Sequence, residues 1–230
     1  MSILSVRNIS YSYQDGTRIR NILNRVTYNF EKGKFYSILG VSGSGKTTFL
    51  SLISGLDSPM DGGIFYEGED IEKIGLDKYR KNDIGIVFQN YNLIPYLNGY
   101  QNVLVAMGIS DNVEKKTMHE DAYKFLESVG IDKETSLRSV NRLSGGEQQR
   151  VAIARALSTN VNIIMADEPT GNLDKETGQN IVDIFKKLAH EEDKCIIVVT
   201  HSDMIANQSD VILKLNTDIK GFEEIINESV

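Results

Sequence analysis

The 230-residue sequence predicts an α/β fold, and three observations carry the prediction. The apolar run Phe35-Tyr36-Ser37-Ile38-Leu39 reads as a buried strand. It is followed by the glycine-rich Gly40-Val41-Ser42-Gly43-Ser44-Gly45-Lys46-Thr47-Thr48 and then by a helical pattern, Phe49 to Ile53, that stops at Gly55. A second apolar run, Ile163-Ile164-Met165-Ala166, ends in the acidic pair Asp167-Glu168. Strands give way to helical patterns between about 90 and 160, after which strand–helix alternation returns.

A strand, a GxxxxGK[ST] loop and a helix together form the Walker A arrangement. Glycines let the backbone turn tightly and aim several N–H donors at one concave point where a polyphosphate can sit. A helix starting near Gly45 adds the positive end of its dipole. Lys46 would reach the β- and γ-phosphates, and the Thr47 hydroxyl is placed for Mg²⁺.

Taken in order, residues 3–9 and 22–30 read as short strands joined by Gln14-Asp15-Gly16. Ile22, Asn24, Val26, Tyr28 and Phe30 do not alternate cleanly. Asp57 to Gly63 is a turn, Ile64 to Gly68 a strand and turn, Asp77 to Asn82 a short helix, and Ile84 to Phe88 a buried strand ending at Gln89. Within 114–129, Met118, Ala122, Phe125, Leu126 and Val129 recur at helical spacing before the stop signal Gly130. Ser144 is an N-cap for a helix reaching about Leu157, a helix is predicted over roughly 174–190, and strands over 195–199 and near 211–215. The reading is one domain over 1–230: an α/β core from 1–89 and 161–230, and a helical subdomain from 90–160.

Composition narrows the function. With 32 Asp+Glu against 25 Lys+Arg the net charge is −7, which argues against nucleic acid as the main partner. No apolar run approaches the roughly 20 residues needed to cross a bilayer. Met1 to Tyr13 holds no basic segment followed by an apolar one, so no secretory signal is expected. The single Cys195 sits in an apolar strand, where it reads as a small buried residue of a cytosolic-type chain.

Asp167 closes a Walker B-like strand, where a carboxylate can hold Mg²⁺ directly or through water. Glu168 is suited to polarise an attacking water as general base. Leu143-Ser144-Gly145-Gly146-Glu147-Gln148-Gln149-Arg150 supplies a second helix start with open backbone donors. Two such starts but one Walker lysine suggest a nucleotide held between two surfaces.

On these motifs the chain resembles the ATP-binding subunit of an ABC transporter along nearly its whole length. The LSGGEQQR stretch is similar to the family's LSGGQ signature, with Glu147 replacing Gln. The resemblance implies a P-loop NTPase (RecA-like) core with an N-terminal antiparallel β subdomain and an inserted α-helical subdomain. It implies ATP and Mg²⁺ as cofactors, hydrolysis of ATP, and a head-to-tail dimer of identical or different ATPase subunits. Ser144, Gly145 and Gly146 of one chain would then close on ATP held by Gly40, Ser42, Gly43, Ser44, Gly45, Lys46, Thr47 and Thr48 of the other.

Further roles carried by the resemblance are Tyr13 as an aromatic platform for adenine and Gln89 as the Q-loop glutamine on Mg²⁺ and the γ-phosphate. Asp174 matches the D-loop at the dimer interface, and His201 the H-loop contact to the γ-phosphate. The catalytic set is therefore Glu168, His201, Gln89 and Lys46, and the metal set Thr47, Gln89 and Asp167. His190 receives no role. Phe88 to Pro95 and Ala166 to Asp174 resemble the branch of lipoprotein-releasing, macrolide-export and antimicrobial-peptide-resistance ATPases, with the cell-division ATPase of similar build. Membrane permease subunits are the implied partners, through the Q-loop and helical subdomain, at the cytoplasmic face of the membrane.

Some alternatives stay open. Tyr91, Tyr96 and Tyr100 with Leu93, Ile94 and Leu97 form either a groove for a membrane partner's helix or the core of the helical subdomain. A regulatory ATPase that transports nothing and a soluble ABC-type ATPase are the rival functions. Leu213 to Asp218 lacks the Asp-Gly turn expected between the last two strands, which leaves the final dozen residues without an assignment.

Overall fold

The computed structural model of the chain describes residues 2–16 and 18–226. An antiparallel sheet holds β1 (Ser2–Asp15), β2 (Arg18–Glu31), β4 (Asp61–Tyr66) and β5 (Glu69–Asp70) in the order β2-β1-β4-β5. A second sheet holds β3 (Phe35–Leu39), β6 (Ile84–Val87), β7 (Ile163–Asp167), β8 (Cys195–Thr200), β9 (Val211–Asn216) and β10 (Gly221–Ile226). Its order is β10-β9-β3-β8-β7-β6, parallel throughout except that β10 returns antiparallel to β9.

Period-2 geometry divides the parallel strands between two cores. In β8, Ile196 and Val198 join one apolar cluster and Cys195, Ile197 and Val199 the other; in β7, Ile164 and Ala166 oppose Ile163 and Met165. Both faces are covered, which is why these strands read as unbroken apolar runs. The second cluster is closed by Phe49 and Leu52 of α1 (Lys46–Ile53) and by Leu4, Ile9 and Phe30 of the antiparallel sheet. Cys195 is fully buried and free, and burial pushes its thiol pKa up, so it behaves as a small apolar residue.

The first cluster is closed by α4 (Gly99–Ile109), α5 (Met118–Ser128), α7 (Gly145–Leu157) and α8 (Lys175–His190). Short helices α2 (Ile71–Ile74), α3 (Leu76–Asn82), α6 (Lys133–Ser136) and α9 (Asp203–Ala206) fill connections. The chain thus has an α/β core, an N-terminal antiparallel sheet and a helical block between β6 and β7.

Four elements differ from expectation. Helix α5 starts at 118 rather than 114, because Lys115 Nζ donates to the carbonyls of Met107 (2.6 Å), Gly108 (3.0 Å) and Ser110 (2.9 Å) at the end of α4. The side chain of Lys115 thus ties the connecting loop to the end of α4. Strands β1 and β2 run 14 residues each, well beyond 3–9 and 22–30. A bulge explains the unclean alternation there: Arg25 adopts φ 49° and its N–H donates to Ser10 Oγ (3.0 Å). Strand β10 forms without an Asp-Gly turn, because Asn216 Oδ1 accepts from the N–H groups of Asp218 (2.8 Å) and Ile219 (3.4 Å), and Lys220 takes φ 53°. Residues 227–230 of the unassigned C-terminal dozen lie outside the described residues.

Packing at the β6 edge predicts a stability effect. A Cβ on Gly85 would lie 2.8 Å from the Ala156 carbonyl oxygen and 2.8 Å from Ile164 Cδ1. Because one neighbour is helix backbone, Gly85→Ala should lower stability by about 1–3 kcal/mol. An unchanged midpoint in equilibrium urea unfolding would contradict this packing.

Candidate active site

Strands β3, β6, β7 and β8 run parallel, so the segments that follow them emerge at one edge of the sheet. After β3 the chain enters the glycine-rich loop. Gly45 sits at φ 103° as N-cap of α1 with no side-chain cap, which leaves the first-turn N–H groups open to an anion. A Cβ at Gly45 would lie 2.5 Å from Ile22 Cγ2. Lys46 is 8% exposed, and its Nζ donates to the carbonyls of Gly40 (2.7 Å) and Val41 (3.2 Å) inside the loop. Ser44 Oγ is buried without a hydrogen-bond partner.

Asp167 ends β7. Burial and, after it, the charge of Glu168 raise its pKa above the usual carboxylate value; a hydrogen bond with Thr47 and the charge of Lys46 oppose this. Its Oδ1 is buried and unpaired. Glu168 follows at φ 45°, a strained conformation held by its N–H donating to the Val199 carbonyl (2.8 Å). Its Oε2 accepts from Thr200 Oγ1 (3.1 Å) and the His201 N–H (3.3 Å), and its Oε1 lies 2.8 Å from His201 Nδ1. Three groups from the end of β8 therefore orient one carboxylate. His201 is paired with Glu168 through Nδ1, and its side chain is otherwise exposed.

Gln89, two residues past β6, is exposed, and its amide borders Gly171, where a Cβ would lie 2.9 Å from Nε2. Its carbonyl accepts from Asn172 Nδ2 (3.2 Å), joining the β6 exit to the loop after Glu168.

A cavity of about 220 Å³ borders the glycine-rich loop, lined by Tyr13, Arg20, Ile22, Gly43, Gly45, Lys46, Thr47 and Thr48. Tyr13 is 48% exposed, packs edge-on to Tyr11 (5.1 Å between centroids), and its hydroxyl is 3.3 Å from Thr48 Oγ1. None of these lining residues belongs to the LSGGEQQR stretch.

That stretch builds a separate helix start. Ser144 caps α7: its Oγ accepts from the Glu147 N–H (3.3 Å) while Glu147 Oε2 accepts from the Ser144 N–H (2.6 Å). Those hydrogen bonds hold the Glu147 carboxyl below its usual range. Gly145 borders the Tyr91 hydroxyl, and Gly146 packs so closely on Thr177 that a Cβ would run into its Cγ2. Asp174 is exposed and caps α8, accepting from the Thr177 N–H (3.0 Å) and Oγ1 (2.6 Å). His190 pairs with Asp210, remote from this edge.

The undecided aromatic group divides. Tyr91, Leu93 and Tyr100 pack against the first cluster, whereas Ile94 (39%) and Tyr96 (94%) are exposed. Sequence reading missed Thr200 and Arg20. The threonine closing an apolar strand just before His201 was a signal; Arg20 carried none until its cross-strand pairing with Tyr13 was known.

Comparison with known proteins agrees with this geometry. The family model for ABC transporter matches residues 23–171. An uncharacterized ABC transporter ATP-binding protein, YclH of Bacillus subtilis (strain 168), is 46% identical over 216 residues, covering 94% of each chain. The lipoprotein-releasing system ATP-binding protein LolD of Francisella tularensis is 36% identical over 93% of each. Dimeric structures of the Methanocaldococcus jannaschii cassette MJ0796 superpose with a TM-score of 0.88 at 35% identity, covering 99% of this chain and 100% of that one; one holds ADP and Pi after hydrolysis. The chain belongs to the ABC transporter family, as an ATP-binding, ATP-hydrolysing subunit. Among the described residues no helix is long and apolar enough to cross a membrane.

The raised pKa of Asp167 makes a signed prediction. A carboxyl whose folded pKa exceeds the ordinary 3.8 favours the folded state at low pH, and that contribution is lost as pH rises through the raised value. At pH 7 the buried charge is a net cost. Asp167→Asn should therefore melt higher than the parent at pH 7 without nucleotide, with the gain shrinking as pH falls towards the ordinary carboxylate range. Scanning calorimetry across that range checks it; a gain that grows in acid would contradict the burial argument.

Proposed function

We propose that two such ATPase chains close head to tail around two ATP·Mg²⁺ and drive conformational change in membrane permease subunits, for export or mechanical signalling. One observation carries this reading. The chain has two helix starts suited to phosphate, at Gly45 and at Ser144, and among the described residues the cavity beside Gly45 is lined by none from the Ser144 helix start. In this reading a nucleotide on the first meets the second on another copy. Exposure of Ser144 and Asp174 suits contacts made in trans, and the dimeric MJ0796 structures support the arrangement by similarity.

In the proposed site the loop N–H groups, Ser42, Ser44 and Thr48 cradle the phosphates, and Tyr13 stacks on the base. Lys46 leaves the Gly40 and Val41 carbonyls for the β- and γ-phosphates. The donor set fits Mg²⁺: Thr47 hydroxyl, the unpaired Asp167 Oδ1 and the Gln89 amide are hard oxygens, and such an ion keeps waters and phosphate oxygens as further ligands. No cluster of three or more His, Cys, Asp or Glu able to hold a metal occurs among the described residues. Bound there, the ion would neutralise charge building on the phosphates. Glu168 polarises the attacking water, held in orientation by Thr200 and His201. Gly145, Gly146 and Asp174 complete the partner's site.

The helical block, 90–160, is proposed as a subdomain apart from the core of 1–89 and 161–230. It would present Ile94 and Tyr96 to the permease beside the Q-loop, placing the protein at the cytoplasmic membrane face. The name of the lipoprotein-releasing LolD supports the export branch.

Glu168→Gln should bind ATP, lose nearly all turnover and shift from monomer to dimer only with ATP·Mg²⁺, read by size-exclusion chromatography with light scattering. Adding Ser144→Arg to that variant should return it to monomer. A dimer that ignores both ATP and Ser144→Arg would sink the arrangement.

A further inference from the structure

We infer that Arg20 is a nucleotide-binding residue, supplying a second cation for the α,β-phosphate segment, at the α-phosphate end that the glycine-rich loop's own lysine does not reach. The inference rests on the reading of the Tyr13–Thr48 cavity as the nucleotide site. Arg20 and Tyr13 are direct cross-strand partners in the β1–β2 pair, so both stand on the same rim of that cavity. The Arg20 guanidinium extends from the rim over the apex of the loop, where Nη2 is 3.5 Å from the Gly43 carbonyl oxygen. Lys46, the other cation lining the cavity, is nearly buried and points into the loop.

The order along the cavity wall follows from these positions. Tyr13 marks the base end, Lys46 and Thr47 the β,γ-phosphate and metal end, and Arg20 reaches between them. A guanidinium is always charged and offers planar paired donors that suit phosphate oxygens. Its 3.5 Å contact to a carbonyl is long for a hydrogen bond, so turning to a phosphate gives up little. In a chain of net charge −7, a tetra-anionic nucleotide needs a local positive field, and this rim provides one beside the loop. Since ATP and ADP share the α,β segment, Arg20 should act on both equally and set affinity rather than turnover.

Lys220 supplies the control. It lines an adjoining cavity of about 180 Å³ with Arg20, Gly43 and Ser44, but not the one that holds Lys46 and Thr47. Removing its charge tests for a long-range field without the proposed contact.

Mg·ADP affinity of the full chain by isothermal titration calorimetry at two salt concentrations, together with steady-state ATP hydrolysis, tests the assignment. Arg20→Gln should weaken Mg·ADP about tenfold, flatten the salt dependence and raise KM for ATP by a similar factor. Its kcat should stay within about twofold. Arg20→Lys should recover part of the loss, and Lys220→Gln should change affinity less than about twofold. Undiminished ADP binding by Arg20→Gln overturns the role of Arg20, as does an equal loss in Lys220→Gln or a fall in kcat at unchanged KM. Failure of the parent protein to bind either nucleotide overturns the site itself, a result separate from any difference among the variants.

Discussion

Burial of the parallel sheet on both faces is the constraint on which the remaining structure depends. Strands β3, β7 and β8 are apolar on each side because helices cover one face and the antiparallel sheet with α1 covers the other. A fully buried Val, Leu or Ile contributes about 1.5–3 kcal/mol. The same parallel arrangement delivers the glycine-rich loop, Gln89, Asp167-Glu168 and Thr200-His201 to one edge. That edge is locally unfavourable: Asp167 Oδ1 and Ser44 Oγ are buried without partners, and Glu168 is held at φ 45° at a cost of about 1–3 kcal/mol. The buried strands offset polar groups arranged for chemistry rather than for stability.

Contacts also run from this edge into the helical block. Tyr91 and Asn92, just past Gln89, both take left-handed conformations (φ 61° and 47°), and their carbonyls accept from Arg155 of α7 (3.0 and 2.5 Å). The α7 helix touches α8 through Gly146 and Thr177, and Asn172 reaches back to the Gln89 carbonyl. The signature helix, the β6 exit and the loop after Glu168 are thus joined by direct contact. A rotation of α7 would be felt at Gln89 through backbone groups, which no side-chain motif reports.

What the sequence displayed, and what it hid, follows from the range of each interaction. Doubly buried strands and the glycine-rich loop are local signals, as is the Ser144 cap. The end of α4 was hidden because its cap, Lys115, lies in the following loop. Helix α4 itself went unrecognised, being apolar almost all round, although Asn98 and Gln101 form a capping box at its start. The turn into β10 uses Asn216 where Asp-Gly was sought. In the site, Glu168 was legible from the strand before it, but the groups that aim it come from β8, 32 residues or more away. Arg20 depends on a strand pairing whose register is shifted by bulges, and no local pattern encodes that.

Lys46 gives the loop a property of its own. Its ammonium satisfies the Gly40 and Val41 carbonyls, so the loop contains a cation bound to its own wall. Arrival of a polyphosphate is then an exchange of partners and not the capture of a free charge. An affinity for polyphosphate would then report the difference between two sets of contacts, because the lysine exchanges two carbonyls for phosphate oxygens.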